Sequence, residues 1–96
     1  MIGLEREYIK TMDHFGVENQ IEKQIEEDGE FLEAIELIEN GKCSVEDLEK
    51  ELADKINLGM QFVIKHGGTA ESVLNHCTDK MVRTIDRIGE KFYEKD

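Results

Sequence analysis

Apolar residues recur at three- and four-residue spacing in four stretches of the chain, and glycines stand between the stretches. The spacing predicts a first helix from Leu4 to Phe15, ending near Gly16. A second runs from Val17 or Glu18 to Glu39 and closes at Asn40-Gly41, a pair that suits a helix C-terminus. The third spans Val45 to about Lys65 and stops at His66-Gly67-Gly68; the fourth runs from Ala70 towards Tyr93. Ser44 and Thr69 are expected N-caps, their hydroxyls accepting from free amides of the next turn. Glu46 and Asp47 suit the positive end of the third helix dipole. The chain has no proline to interrupt these helices, and no turn dipeptide separates alternating runs as a hairpin would require. Gly29 lies inside the second helix, where it costs about 1 kcal/mol relative to Ala. It marks either a close approach to the backbone or a packing contact.

The expected fold is therefore all-α: an antiparallel bundle of about four helices forming one domain over residues 1–96. A chain this short buries its apolar arcs poorly, so self-association into a homodimer or homotetramer is expected. No run approaches the roughly 20 apolar residues of a membrane span. The charged stretch from Met1 to Lys10 does not resemble a signal peptide. With only Cys43 and Cys77, no disulfide framework is expected, and the default compartment is the cytoplasm. Cys77 reads as a core residue, Cys43 as a loop residue and His14 as a helix end; none has zinc-like spacing. A formal net charge of −11 disfavours binding to nucleic-acid polymers. That charge either solvates the surface or gathers in part around a cation.

The helical periodicity separates the carboxylates into two kinds. On the second helix Ile21, Ile25, Leu32 and Ile35 form an apolar stripe, extended to one side by Phe31, Ala34 and Ile38. Glu22, Glu26, Glu33 and Glu36 spread over the opposite, solvated face. Glu27 projects into the side extension and Glu30 lies at its edge. A carboxylate among apolar side chains is costly unless paired or bound to a metal. The third helix repeats the arrangement: Leu48, Leu52, Ile56, Gly59 and Val63 make its core stripe, with Glu51 at the margin and Asp54 three residues on. Two such pairs on antiparallel neighbours can converge on a hard, oxygen-seeking cation such as magnesium. In a chain with 23 acidic residues, chance pairs on solvated faces are the competing reading.

On the fourth helix His76, Lys80, Arg83 and Arg87 make a basic stripe beside Val73, Cys77, Met81, Ile85 and Ile88. It either binds substrate phosphates or pairs with the acidic helices. Asn57 and Gln61, near the flank of Asp54, are candidates to touch base, sugar or phosphate, or are partly exposed helix polars.

The segment Ile25-Glu26-Glu27-Asp28-Gly29-Glu30-Phe31-Leu32-Glu33-Ala34-Ile35, followed by Glu49-Lys50-Glu51-Leu52-Ala53-Asp54, resembles the MazG-like nucleotide pyrophosphohydrolases. Their pattern is Glu-Glu-x-x-Glu on one helix and Glu-x-x-Asp on the next. The lead-in Phe15-Gly16-Val17-Glu18-Asn19-Gln20 is also similar to small single-domain members, and the resemblance covers about Phe15 to Arg87. It implies an all-α NTP pyrophosphohydrolase fold. The implied activity is cleavage of NTP or dNTP between the α and β phosphates, giving NMP or dNMP and pyrophosphate, in nucleotide housecleaning. It implies ligation of Mg2+, with Mn2+ as a substitute, by Glu27, Glu30, Glu51 and Asp54. Glu26 or Glu30 would be the general base. Lys80 and Arg83 fall near positions where family members carry basic residues; with Arg87 of the same stripe, and with Asn57 and Gln61 near Asp54, they are the candidates to contact the nucleotide. Many relatives place an Asn shortly before the basic pair, where this chain has Thr78 and Asp79.

A related enzyme class, phosphoribosyl-ATP pyrophosphohydrolase, is similar in size and motif. Here Lys55-Ile56-Asn57-Leu58 lacks the Tyr-His step expected after Asp54 in that class. A non-catalytic helical interaction module is the third reading, opposed by the intact carboxylate set.

Overall fold

The structure, a computed structural model, describes residues 3–94, with side chains through position 89. It is a small all-α bundle of four helices: α1 (Glu5–Phe15), α2 (Val17–Glu39), α3 (Val45–Lys65) and α4 (Ala70–Glu94). No strand occurs among the described residues. No helix among them is long and apolar enough to cross a membrane.

The helix ends follow from local chemistry. Gly16, at φ +84°, closes α1 and opens α2, a left-handed backbone that glycine adopts without a Cβ penalty. After α2 the Gly41 N–H donates to the Ile38 carbonyl at 3.0 Å and the Lys42 N–H to the Leu37 carbonyl at 2.8 Å. These paired bonds satisfy carbonyls that a helix end otherwise leaves orphaned. The same pair recurs after α3, from Gly67 to Ile64 at 3.0 Å and from Gly68 to Val63 at 2.9 Å. Ser44 Oγ accepts from the Asp47 N–H at 3.1 Å, and Asp47 Oδ2 accepts from the Ser44 N–H at 3.0 Å, a reciprocal cap. Thr69 Oγ1 accepts from the Ser72 N–H at 3.1 Å.

Helices α1, α2 and α3 pack together, with α2 against α3 as the most extensive contact. A small core forms where Tyr8, Met60, Ile64 and Ala70 meet, flanked by Val63 and Val73. Helix α4 joins it only through its first turn. From Leu74 to Ile88 every side chain of α4 is exposed.

This arrangement corrects the expected core in three places. On α2 the packed face is the side extension: Glu27 and Ala34 are buried and Phe31 and Ile38 half-buried, while Ile21, Ile25 and Leu32 are exposed, Ile25 by 69%. The cause is that α2 meets α3 along one stripe, and no element among the described residues covers the other. On α4 Cys77, Met81, Ile85 and Ile88 are exposed because the helix leaves the bundle after Val73. On α3 Leu52 and Ile56 are likewise exposed.

The dimensions agree. The radius of gyration is 16.9 Å, whereas a compact domain of this length has about 12.5 Å. The accessible surface is 7667 Å², against about 5,700 Å² for a compact monomer of this size.

Candidate metal centre

Buried α2 positions and their α3 counterparts form a seam that carries polar groups where a core would carry hydrocarbon. Gln20, Gln24, Glu27, Phe31, Ala34 and Ile38 follow one another at four- and three-residue steps along α2 and face α3. Glu51, Asp54, Leu58 and Gln61 do the same along α3. Two further contacts hold the helices in register beside this seam. Lys55 Nζ lies 3.5 Å from Asp28 Oδ1, and the same ammonium stands 5.2 Å from the centre of the Phe31 ring.

Oxygens of Glu27, Glu51 and Asp54 all lie within 4.8 Å of one another. Glu27 is buried, Glu51 half-buried and Asp54 exposed, so the cluster opens outward through Asp54. Glu27 Oε2 and Glu51 Oε2 are both buried without a hydrogen-bond partner. An unpaired buried carboxylate oxygen is among the more costly groups a fold can hold. Oxygens on opposite sides of an octahedral magnesium ion are about 4.2 Å apart. Neighbouring oxygens on such an ion are about 3.0 Å apart, so three oxygens within 4.8 Å of one another would draw together to hold it. The all-oxygen donor set suits magnesium or manganese and not a thiophilic metal.

Glu30 stands at the edge of this group, half-buried. Its carboxyl is held above the usual carboxylate range, chiefly by the negative charge of Glu27. Burial, the closeness of the Glu27 side chain and the charges of Glu51 and Glu26 add to the effect. Lys23 supplies the only cation paired with the cluster among the described residues. Its Nζ lies 3.3 Å from Glu27 Oε1 and 3.4 Å from Glu26 Oε1. The hydrogen bond to Glu27, then that to Glu26, holds the Lys23 proton more tightly than usual. Glu26 itself points to solvent, with 57% of its side chain exposed.

A cleft of about 460 Å³ runs from Glu27 and Asp54 towards Phe15 at the end of α1. Asn57 and Gln61 both line it. Asn57 Oδ1 accepts from the Tyr8 hydroxyl at 2.8 Å, and Gln61 Oε1 accepts from Gln20 Nε2 at 2.7 Å.

The single chain thus gathers Glu27, Glu51 and Asp54, sets Glu30 beside them, and puts Asn57 and Gln61 in the adjoining cleft. It does not bring the α4 residues there. His76, Lys80, Arg83 and Arg87 are exposed, form no ion pair among the described residues, and do not line the cleft. Sequence reasoning missed Gln20 and Lys23. Gln20 lies seven residues before Glu27, two helical turns back on the same face, and that spacing was the available signal. Beyond its own stretch of helix, Gly29 has no atom within 4 Å of where a Cβ would sit, so neither expected reason for a glycine holds there among the described residues.

In comparisons with known proteins, no family model, curated protein or solved structure matches this chain.

Proposed function

We propose that this chain is a magnesium-dependent nucleoside triphosphate pyrophosphohydrolase of the MazG-like type, releasing pyrophosphate and a nucleoside monophosphate. The observation that carries the reading is the pair of buried, unpartnered oxygens on facing helices, Glu27 Oε2 and Glu51 Oε2, beside Asp54 and at the end of a cleft. A fold that leaves two anionic oxygens unpaired in its interior is stabilised when a cation supplies the missing partner.

Glu27, Glu51 and Asp54 would hold the ion, with Glu30 as the adjoining fourth carboxylate. Magnesium bound there would neutralise phosphate oxygens and polarise the phosphorus under attack. Of the two candidate bases, Glu30 is favoured. It borders the carboxylate cluster and has no cationic partner among the described residues, whereas Glu26 is exposed and tied to Lys23. Glu30 would accept the proton of the attacking water on a carboxylate oxygen. Asn57 and Gln61 would contact the nucleotide from the wall of the cleft.

Self-association belongs to the same proposal. Each chain exposes roughly 2,000 Å² more than a compact monomer of its size. Two chains that each hide this excess would bury about 4,000 Å² in all, within the range of obligate homodimers. The surface to be hidden includes Ile21, Ile25 and Leu32 on α2 and Leu74, Met81, Ile85 and Ile88 on α4. Because Lys80, Arg83 and Arg87 stand away from the cleft of their own chain, any contact they make with substrate phosphates requires a second copy.

The deciding experiment measures pyrophosphate release from a panel of nucleoside triphosphates, with and without magnesium. Magnesium-dependent release is expected. Absence of release from every nucleotide, together with no divalent-cation binding by calorimetry, would leave the interaction-module reading in its place.

A further inference from the structure

Two apolar stripes stand uncovered among the described residues: Ile21, Ile25 and Leu32 on α2, and Leu74, Met81, Ile85 and Ile88 on α4. At 1.5 Å per residue they run about 17 Å and about 21 Å, so either could lie along the other. Each is bordered by charge on one side only. At about 100° per residue, Glu22, Glu33 and Glu36 form a row beside the α2 stripe, whose other side leads towards α3. On α4 Lys80 and Arg87 border the stripe, with His76 and Arg83 behind them; Thr78 and Val82, both uncharged, border its other side. All of these charged side chains are exposed, and none forms an ion pair among the described residues. A chain of net charge −11 thus leaves a basic row unneutralised on one face and an acidic row unneutralised on another.

The two borders are of opposite hand. Viewed from the N-terminus of each helix, the glutamates lie clockwise of the α2 stripe, and Lys80 and Arg87 lie counterclockwise of the α4 stripe. Borders of opposite hand meet when two helices pack side by side in the same direction, as the flanking charges of a parallel coiled coil do. Two α4 helices packed on each other would instead set the basic row against itself when antiparallel, or against Thr78 and Val82 when parallel.

Resting on the self-association proposed above, we infer that α4 of one copy lies along the open stripe of α2 in a second copy, parallel to it. Ile21, Ile25 and Leu32 cover Leu74, Met81, Ile85 and Ile88, while Lys80, Arg83 and Arg87 pair with Glu22, Glu33 and Glu36. The exchange is reciprocal: each copy gives an arm and receives one, so a two-fold axis closes the assembly. The basic row then serves the interface, and the phosphates of a substrate are left to the metal centre.

The test measures self-association of the full chain by analytical ultracentrifugation, at low and at high salt. One variant reverses the acidic row (Glu22→Lys, Glu33→Lys and Glu36→Lys), a second reverses the basic row (Lys80→Glu, Arg83→Glu and Arg87→Glu), and a third carries all six changes. Reversing whole rows makes the result independent of the exact register. Each single-row variant is expected to weaken association by about tenfold or more at low salt, and by less at high salt. The acidic-row variant lowers the overall negative charge, which by itself favours association, so weakening there reports the row. The combined variant returns to the wild-type net charge with both rows exchanged, and should recover wild-type association. Where the assembly is too tight to dissociate by dilution, the dependence of the urea midpoint on protein concentration gives the same comparison. Unchanged association of the acidic-row variant, or a combined variant as weak as the single-row ones, overturns this docking and leaves self-association standing. A wild type that is monomeric at every concentration removes both. Pyrophosphate release is measured separately, so the hydrolase reading stands or falls on its own.

Discussion

The α2–α3 seam and helix α4 distribute polarity in opposite ways. Between α2 and α3 the buried positions include Gln20, Glu27 and Gln61. Along α4 the exposed positions include Leu74, Met81, Val82, Ile85 and Ile88. A single folded chain of ordinary kind does the reverse. The seam holds groups that cost stability when buried, and α4 holds groups that give none until they are covered. On the reading proposed above the two departures would support each other: buried polar groups forfeit hydrophobic burial, and the apolar faces left outside would supply it if a second copy covered them.

The largest expected effect breaks the seam's chemistry without breaking its fold. Asp54→Asn or Glu27→Gln should lower pyrophosphate release by at least roughly 100-fold, as loss of an electrostatic partner of the reacting phosphates does. Circular dichroism should remain helical in both. Next comes the opposite region. Ile85→Glu places a charge on the exposed stripe of α4 and should convert an associated species to monomer in analytical ultracentrifugation. It should also lower the stability of the assembly by about 2 kcal/mol or more per chain, the value of burying one such side chain. If wild type and variant sediment alike as monomers, the contrast between the regions loses its meaning.

Magnesium should then stabilise the seam specifically. At a hundredfold excess over its dissociation constant the gain is about 2.7 kcal/mol, read as a rise in unfolding temperature that Asp54→Asn abolishes. A smaller effect lies at the start of α3. Ser44→Ala removes the cap and should cost about 1 kcal/mol in urea unfolding. The cap also has a pH signature. The Ser44 backbone N–H, then its hydroxyl, holds the Asp47 carboxyl below its ordinary value of 3.8. A depressed folded value favours the charged form in the native state. Its contribution is therefore present above pH 3.8 and lost as acid carries the pH down through the lower folded value. The stability difference between wild type and Ser44→Ala should narrow in that acid range. Smallest of all, Gly29→Ala should stabilise the chain by about 0.8 kcal/mol in the same assay, since open space surrounds the position.

The helices and their ends were legible because each signal is local. Ser44, Thr69, Asn40-Gly41 and Gly67-Gly68 act on residues within one or two turns, and the structure uses each as expected. The carboxylates were partly legible. Glu27 among Phe31, Ala34 and Ile38 violated the polarity of its own stripe, and that violation pointed inward. The choice between stripes was not legible. Ile21, Ile25 and Leu32 keep helical spacing as well as the packed stripe does, and periodicity cannot tell a face covered by the same chain from one left open. Gln20 escaped notice because a buried glutamine has the same sequence signature as a solvated one. Its burial depends on Gln61, 41 positions away.

Gly68 carries a consequence of its own. A methyl group there would sit 2.5 Å from Val63 Cγ1 and 3.1 Å from the Val63 carbonyl oxygen. The turn between α3 and α4 has room at this position for a hydrogen atom and not for a methyl group. Over the length of α4, a change of a few degrees in that turn would displace the far end by several ångströms. The direction in which α4 leaves α3 thus passes through a residue that has no side chain.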